Sequence, residues 1–129
     1  MRVFFKTVLF VSSLCFSVVN ISVGAEVGSL SVTEANGLLT EKKAVIIDVR
    51  ENSEWSEGHI SGAIHIPLAQ LPERLAELKA YQSSPIITQC RSGKRSAQAA
   101  DVLKSAGFSK VYNMEGGLNA WDKAGLKTE

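Results

Sequence analysis

The chain has 129 residues, 45% of them hydrophobic, with 14 Lys and Arg against 13 Asp and Glu. That length fits one domain. So even a charge balance argues against a nucleic-acid or membrane-surface binder.

The first segment, MRVFFKTVLFVSSLCFSVVNISVGA, is not read as fold. Arg2 and Lys6 precede an apolar run over about residues 8–19, and Val23-Gly24-Ala25 closes it. This is the three-part layout of a cleavable signal peptide, residues 1–25, with the mature chain expected to start at Glu26. The apolar run is shorter than the ~20 residues that a spanning helix needs. A membrane tether formed by an uncleaved leader is the alternative. Leu14 before Cys15 does not suit lipoprotein processing, so Cys15 is expected to leave with the leader. What remains is a single domain over residues 26–129, whose net charge falls from +1 to −1 as Arg2 and Lys6 are lost. Its sole cysteine is Cys90. Exported proteins usually pair their cysteines, so a lone one is either buried and inert or a reactive thiol.

Along the mature chain, short apolar runs alternate with helical patterns. Residues 28–32 can form a short edge strand. Thr33 is placed to cap a helix ending near Leu39, with Glu34 suited to its positive N-terminal end. Residues 44–49, Ala-Val-Ile-Ile-Asp-Val, read as a buried strand: β-branched, continuous and too short for a helix. Residues 63–66 read as another, stopped by Pro67. Residues 68–79 place Leu68, Leu71, Leu75 and Leu78 on one helical face. Residues 85–89 form a strand with Pro85 tolerable only at its start. Residues 96–106 form a helix with Ala99, Val102, Leu103 and Ala106 inward, and Gly107 is a stop signal. Residues 110–113 are a strand, and residues 117–123 a helix with Leu118 and Trp121 three apart. Such alternation predicts an α/β domain, with a mainly parallel central sheet of about five strands and helices on both faces.

Ligands of such sheets bind beyond the carboxyl ends of strands. Cys90 stands there, between a predicted strand and a predicted helix. The loop TQCRSGKRSAQ also gathers Arg91, Lys94 and Arg95 around Gly93. Cations and a helix N-terminus both stabilise a thiolate, and backbone N–H groups of Arg91, Ser92, Gly93, Lys94 and Arg95 can wrap an anion. Core filling by Cys90 beside a solvated basic loop is the bland alternative; the combination at a strand–helix switch favours function. Loop length bears on which anion. Cysteine-dependent phosphatases use C-x5-R, and here that sixth position is Ser96 while Arg95 comes one residue early. A nucleotide P-loop fails too, because its first Gly would fall at Thr88 and its final Ser/Thr at Arg95. No metal is expected: His59 and His65 are the only histidines, and their spacing matches no common ligand pattern.

Three motifs point to a family. IIDVRENSEWSEGHISGAIHIP, residues 46–67, resembles the D-V-R-x-x-x-E-[aromatic]-x-x-G-H-I-x-G-A-x-x-I-P signature of rhodanese-like domains. CRSGKRS, residues 90–96, resembles the C-R-S-G-x-R-S active loop of its single-domain sulfurtransferases. GFSKVYNMEGGLNAW, residues 107–121, is similar to the family's G-[FY]-x-x-V-x-x-[LM]-x-G-G-x-x-x-W motif. The exported single-domain form resembles small periplasmic thiosulfate sulfurtransferases of bacteria, which implies a periplasmic location.

The resemblance implies double displacement. Cys90 takes the outer sulfur of thiosulfate as a persulfide, then passes it to cyanide or a thiol. Arg91, Ser92, Gly93, Lys94 and Arg95 would bind substrate, with the two arginines favoured over Lys94 because a guanidinium fork matches paired oxygens. Asp48 and Arg50 are expected to support loops near the same sheet edge. Gly116-Gly117 would permit a close approach to the active loop, with Trp121 packed beneath. Expected partners are a small anionic sulfur donor, a thiol or cyanide acceptor and a thiol-redox protein. No cofactor, nucleic acid, or membrane after leader removal is expected, and the protein should be a monomer. A persulfide carrier or partner-docking module is the main alternative, ahead of a thiol-dependent phosphatase or arsenate reductase.

Overall fold

In the computed structural model, residues 27–129 are described; the expected leader lies outside the described residues. In chain order the elements are β1 (Gly28–Leu30), α1 (Val32–Thr40), β2 (Val45–Asp48), α2 (Asn52–Glu57) and β3 (Ile64–His65). Two 3-10 segments, Leu68–Glu73 and Leu75–Tyr81, lead to β4 (Ile86–Gln89), α3 (Lys94–Ser105), β5 (Val111–Met114) and α4 (Gly117–Lys123). The strands form one sheet of five in the order β1-β5-β4-β2-β3, with every pairing parallel. This is the predicted α/β architecture. The most apolar strands, β2 and β4, lie side by side within it and pair Ile46 with Ile87 and Asp48 with Gln89.

Alternation along these strands divides the core into two layers. Ile47 and Ile86 point to one face and pack with Leu71, Leu78, Ala99 and Leu103. Ile46 and Ile87 point to the other and pack with Ala35, Met114, Leu118 and Trp121. Helices α1 and α4 therefore cover one face, and α3 with the 3-10 segments covers the other. Each fully buried Ile or Leu contributes about 1.5–3 kcal/mol, so both layers are needed to hold a domain this small. Leu103→Ala, at a fully buried position, would cost about 2–5 kcal/mol.

Three local expectations are corrected. The helix predicted over 68–79 is instead the pair of 3-10 segments, with Pro72 inside the first. Pro72 lacks an N–H, and in an α-helix its ring would strike the carbonyl of Leu68. The leucines keep their inward face because Leu68/Leu71 and Leu75/Leu78 are each three apart, the 3-10 repeat. The cap of α1 is Ser31, not Thr33: its hydroxyl accepts the Glu34 N–H at 3.1 Å, and Glu34 accepts the Ser31 N–H at 3.2 Å. That reciprocal pair is a capping box. Finally, α3 starts at Lys94 rather than Ser96, so Lys94 and Arg95 lie in its first turn.

Candidate active site

Cys90 follows the last residue of β4 and is fully buried, at 0% exposure. Its main chain is fixed twice through one carbonyl. The Cys90 carbonyl accepts the Leu118 N–H at 2.8 Å and the Gln89 Nε2–H at 2.9 Å. The Arg91 carbonyl accepts the Asn119 N–H at 3.0 Å. This approach of α4 to the loop requires glycine at 117: a Cβ there would stand 2.5 Å from the Cys90 carbonyl oxygen, and Gly117 has φ +55°. The expected close approach by Gly116-Gly117 is thus present, and Trp121 is buried in the layer behind it.

Around the sulfur, Gly93 turns the chain with φ +101° and caps α3. Its N–H donates to Cys90 Sγ at 3.0 Å, and the Ser96 hydroxyl lies 3.3 Å from the same sulfur. Burial pushes the Cys90 thiol up. Against it, the Ser96 hydroxyl and the backbone N–H groups of Ser96, Gly93 and Ser92 together pull the thiol below its usual value. Donors that stabilise a thiolate suit a nucleophile. They would equally hold the terminal anion of a persulfide.

The cations are arranged less simply. The Arg95 fork grips Glu54, with Nη1–Oε1 at 2.6 Å and Nη2–Oε2 at 2.9 Å. Arg91 Nε donates to Glu54 Oε2 at 3.0 Å, and Arg91 Nη2 lies 3.9 Å from Glu57. Arg95 holds the Glu54 carboxyl down at about 2, helped against burial by the Glu51 N–H and Arg91. Lys94 is exposed and forms no ion pair among the described residues. The structure therefore brings Arg91, Ser92, Gly93, Lys94 and Arg95 to the rim around Cys90, but commits both arginines to one carboxylate.

Asp48 and Arg50 form a buried ion pair beneath α2. Arg50 Nε and Nη2 donate to the Asp48 carboxylate at 3.0 and 2.7 Å. The guanidinium also donates to the Glu54 carbonyl at 3.2 Å and the Gly58 carbonyl at 2.8 Å. Arg50 thereby ties the middle and the C-terminal end of α2, the helix that presents Glu54, to the buried pair. His59 and His65 stack on either face of Trp55, with centroids 3.6 and 4.6 Å away. His65 Nε2 also lies 2.7 Å from the Arg50 carbonyl. A hollow lined by Leu39, Ile60, Trp121 and Lys127 includes no residue of the cysteine loop.

Sequence reasoning missed three functional contributors. Glu54 enters the sequence reading only within the first motif, as the E that precedes its aromatic position. Ser96 was noted as a position in a count, and Asn113 only as part of a strand. Asn113 Nδ2 donates to the Gly93 carbonyl at 3.0 Å, and its Oδ1 lies 2.6 Å from the Ser96 hydroxyl.

Residues 31–124 match the description Rhodanese-like domain. The chain is 39% identical over 111 residues to thiosulfate sulfurtransferase 16, chloroplastic, of Arabidopsis thaliana, covering 78% of this chain and 92% of that protein. It is 42% identical over 76 residues to a putative sulfur carrier protein of Bacillus subtilis, covering 59% of this chain and 40% of that one. A rhodanese-related protein of Thermoplasma volcanium superposes with a TM-score of 0.71 at 28% identity, covering 79% of this chain and 97% of its own. With Cys90 at the end of β4 and its loop amides turned onto the sulfur, the motifs, the fold and these likenesses converge: the chain belongs to the rhodanese-like sulfurtransferase family.

Proposed function

We propose that this protein is a thiosulfate sulfurtransferase that works through a Cys90 persulfide. The observation that carries the reading is the 3.0 Å contact from the Gly93 N–H to Cys90 Sγ, with the Ser96 hydroxyl at 3.3 Å. In the first half-reaction the Cys90 thiolate attacks the outer sulfur of thiosulfate. The new S–S bond forms as the S–S bond to the sulfonate breaks, and sulfite leaves with the electron pair. In the second, cyanide or a thiolate attacks the terminal sulfur and returns the Cys90 thiolate. Splitting one transfer into two displacements is covalent catalysis. Loop amides and the Ser96 hydroxyl stabilise the anions on sulfur. Of the cations, Lys94 meets an incoming sulfonate unpaired, the Arg95 fork joins only by leaving Glu54, and Arg91, tied to Glu54 through Nε, meets it with its charge partly neutralised. Asp48 and Arg50 act as supports.

The test is direct. Protein incubated with thiosulfate should gain one sulfur atom on Cys90 by intact mass, then lose it to cyanide as thiocyanate. Cys90→Ser should do neither. Absence of the adduct, with hydrolysis of an aryl phosphate instead, would sink the reading.

A second reading, a persulfide carrier loaded by another protein, is favoured by the burial of Cys90 and the pairing of both arginines. It predicts slow loading from thiosulfate and fast loading from a protein or low-molecular-weight persulfide. Export to the periplasm after cleavage before Glu26 is also proposed, on the layout of residues 1–25; N-terminal sequencing of the exported protein tests it.

A further inference from the structure

Two of the three cations beside Cys90 are neutralised from within the protein, by a residue that arrives from a different strand end. Glu54 lies 41 residues before Arg95 and 37 before Arg91, yet meets both. Its carboxylate is held in place independently: Oε1 accepts the Glu51 N–H at 3.2 Å, and the Glu54 carbonyl accepts from Arg50. Helix α2 buries none of its own side chains fully, so these polar links, together with the stacking of Trp55 between His59 and His65, seat it. Glu57 stands beyond Arg91, and Glu51 is near enough to act on the charge of Arg95. The acid Glu54 is mostly shielded, at 18% exposure, while the Arg95 side chain is 34% exposed and Arg91 is 45% exposed. The geometry is therefore that of a fixed anion holding two movable cations.

We infer that Glu54 is a specificity-determining residue, a built-in counter-anion that competes with the anionic sulfur donor for Arg95 and Arg91. The inference rests on the sulfurtransferase reading and deepens it by naming a determinant of donor charge. A dianion that reaches the loop must draw the Arg95 fork away from Glu54, share Arg91 with it, or be held by Lys94 and the loop amides alone. Weakly charged donors and acceptors lose nothing to this competition. Removing the Glu54 charge should then improve the handling of anions selectively.

The experiment separates charge from reactivity. Cys90 is alkylated with iodoacetate and with iodoacetamide, which share a leaving group and differ mainly in charge. Any change in the thiolate itself affects both reagents alike, so their rate ratio reports the local field. Glu54→Gln should raise the iodoacetate-to-iodoacetamide ratio by about threefold or more at low salt, and added salt should erase the gain. A ratio that is unchanged or lower would overturn the inference, because Glu54 would then be neutral toward anions or would ready the arginines for them. The double variant Glu54→Gln/Arg95→Ala removes one charge of each sign, leaves Arg91 beside Glu57, and guards against misfolding of the single variant. It should lose part of the Glu54→Gln gain, because one of the two released guanidinium groups is gone; a ratio as high as that of Glu54→Gln would show that Arg95 is not what the anion and Glu54 compete for, against the inference. Persulfide formation at limiting thiosulfate should rise several-fold in Glu54→Gln. Failure of the wild type to form any persulfide would instead count against the sulfurtransferase reading, and would leave the alkylation ratio to decide the role of Glu54.

Discussion

Ser96 and Asn113 share a hydrogen that Cys90 also needs. The Ser96 Oγ stands 2.6 Å from Asn113 Oδ1 and 3.3 Å from Cys90 Sγ, and a hydroxyl has one proton to give. The orientation of the Asn113 amide follows from its Nδ2, which donates to the Gly93 carbonyl. When Cys90 is a thiol, its own hydrogen can point to Ser96 Oγ while Ser96 donates to Asn113. When it is a thiolate, the Ser96 hydroxyl turns to the sulfur. Ser96→Ala should therefore raise the Cys90 titration and slow iodoacetamide alkylation at neutral pH by about tenfold, the scale of one lost hydrogen bond to a charged group. The pH profile of alkylation checks it: the midpoint must move upward, while the plateau at high pH stays near wild type.

Acid should test the Glu54 cluster. The carboxyl is lowered from 4.5 to about 2, first by the hydrogen bond from Arg95. A depressed carboxyl contributes stability that is present above its unfolded value and lost as pH falls through its folded one. The loss thus runs from about pH 4.5 down to about 2, and by linkage amounts to no more than about 3 kcal/mol. Glu54→Gln should flatten that part of the stability curve measured by urea unfolding. An acid limb as steep as wild type would assign the dependence to other carboxylates.

Arg50→Met should be severe. Asp48 and Arg50 are 0% and 1% exposed, and removal of the guanidinium strands a buried carboxylate and two carbonyls. A loss of about 3–5 kcal/mol is expected by chemical denaturation. Asp48→Asn combined with Arg50→Met should recover part of it, because no buried charge is then left alone.

Gly117→Ala should damage the site through the backbone. The added Cβ would meet the Cys90 carbonyl at 2.5 Å and the Arg91 carbonyl at 2.6 Å, in a left-handed conformation. Main-chain atoms on that side cannot swing aside as a flexible side chain could. Unfolding should be easier by about 1–3 kcal/mol, and alkylation of Cys90 should lose its depressed midpoint as the loop shifts.

Much of this arrangement is legible in the chain, for physical reasons that also mark where legibility ends. The runs that became β2 and β4 are short, β-branched and continuous, and such runs have few alternatives to a buried parallel strand. Cys90 at a strand end followed from them. Periodicity revealed which leucines of residues 68–79 face inward, but not that Pro72 changes the helix type. Ser31 was readable as the cap from Ser31-x-x-Glu34, a local signal passed over for Thr33. The Glu54–Arg95 pair was not readable by spacing, since only the fold brings residues 41 apart together. Nor does any sequence pattern reveal that one hydroxyl proton serves both Asn113 and Cys90.

The anchoring of the nucleophile has a consequence for how such a scaffold can change. Cys90 and Arg91 are tied to α4 through main-chain atoms, and the turn at Gly93 points a main-chain amide at the sulfur. The side chains of Arg91, Ser92 and Lys94 carry none of that support. The loop is in this sense an exchangeable cassette on a fixed mount: its side chains can be rewritten for a differently charged or differently shaped donor while the sulfur keeps its address.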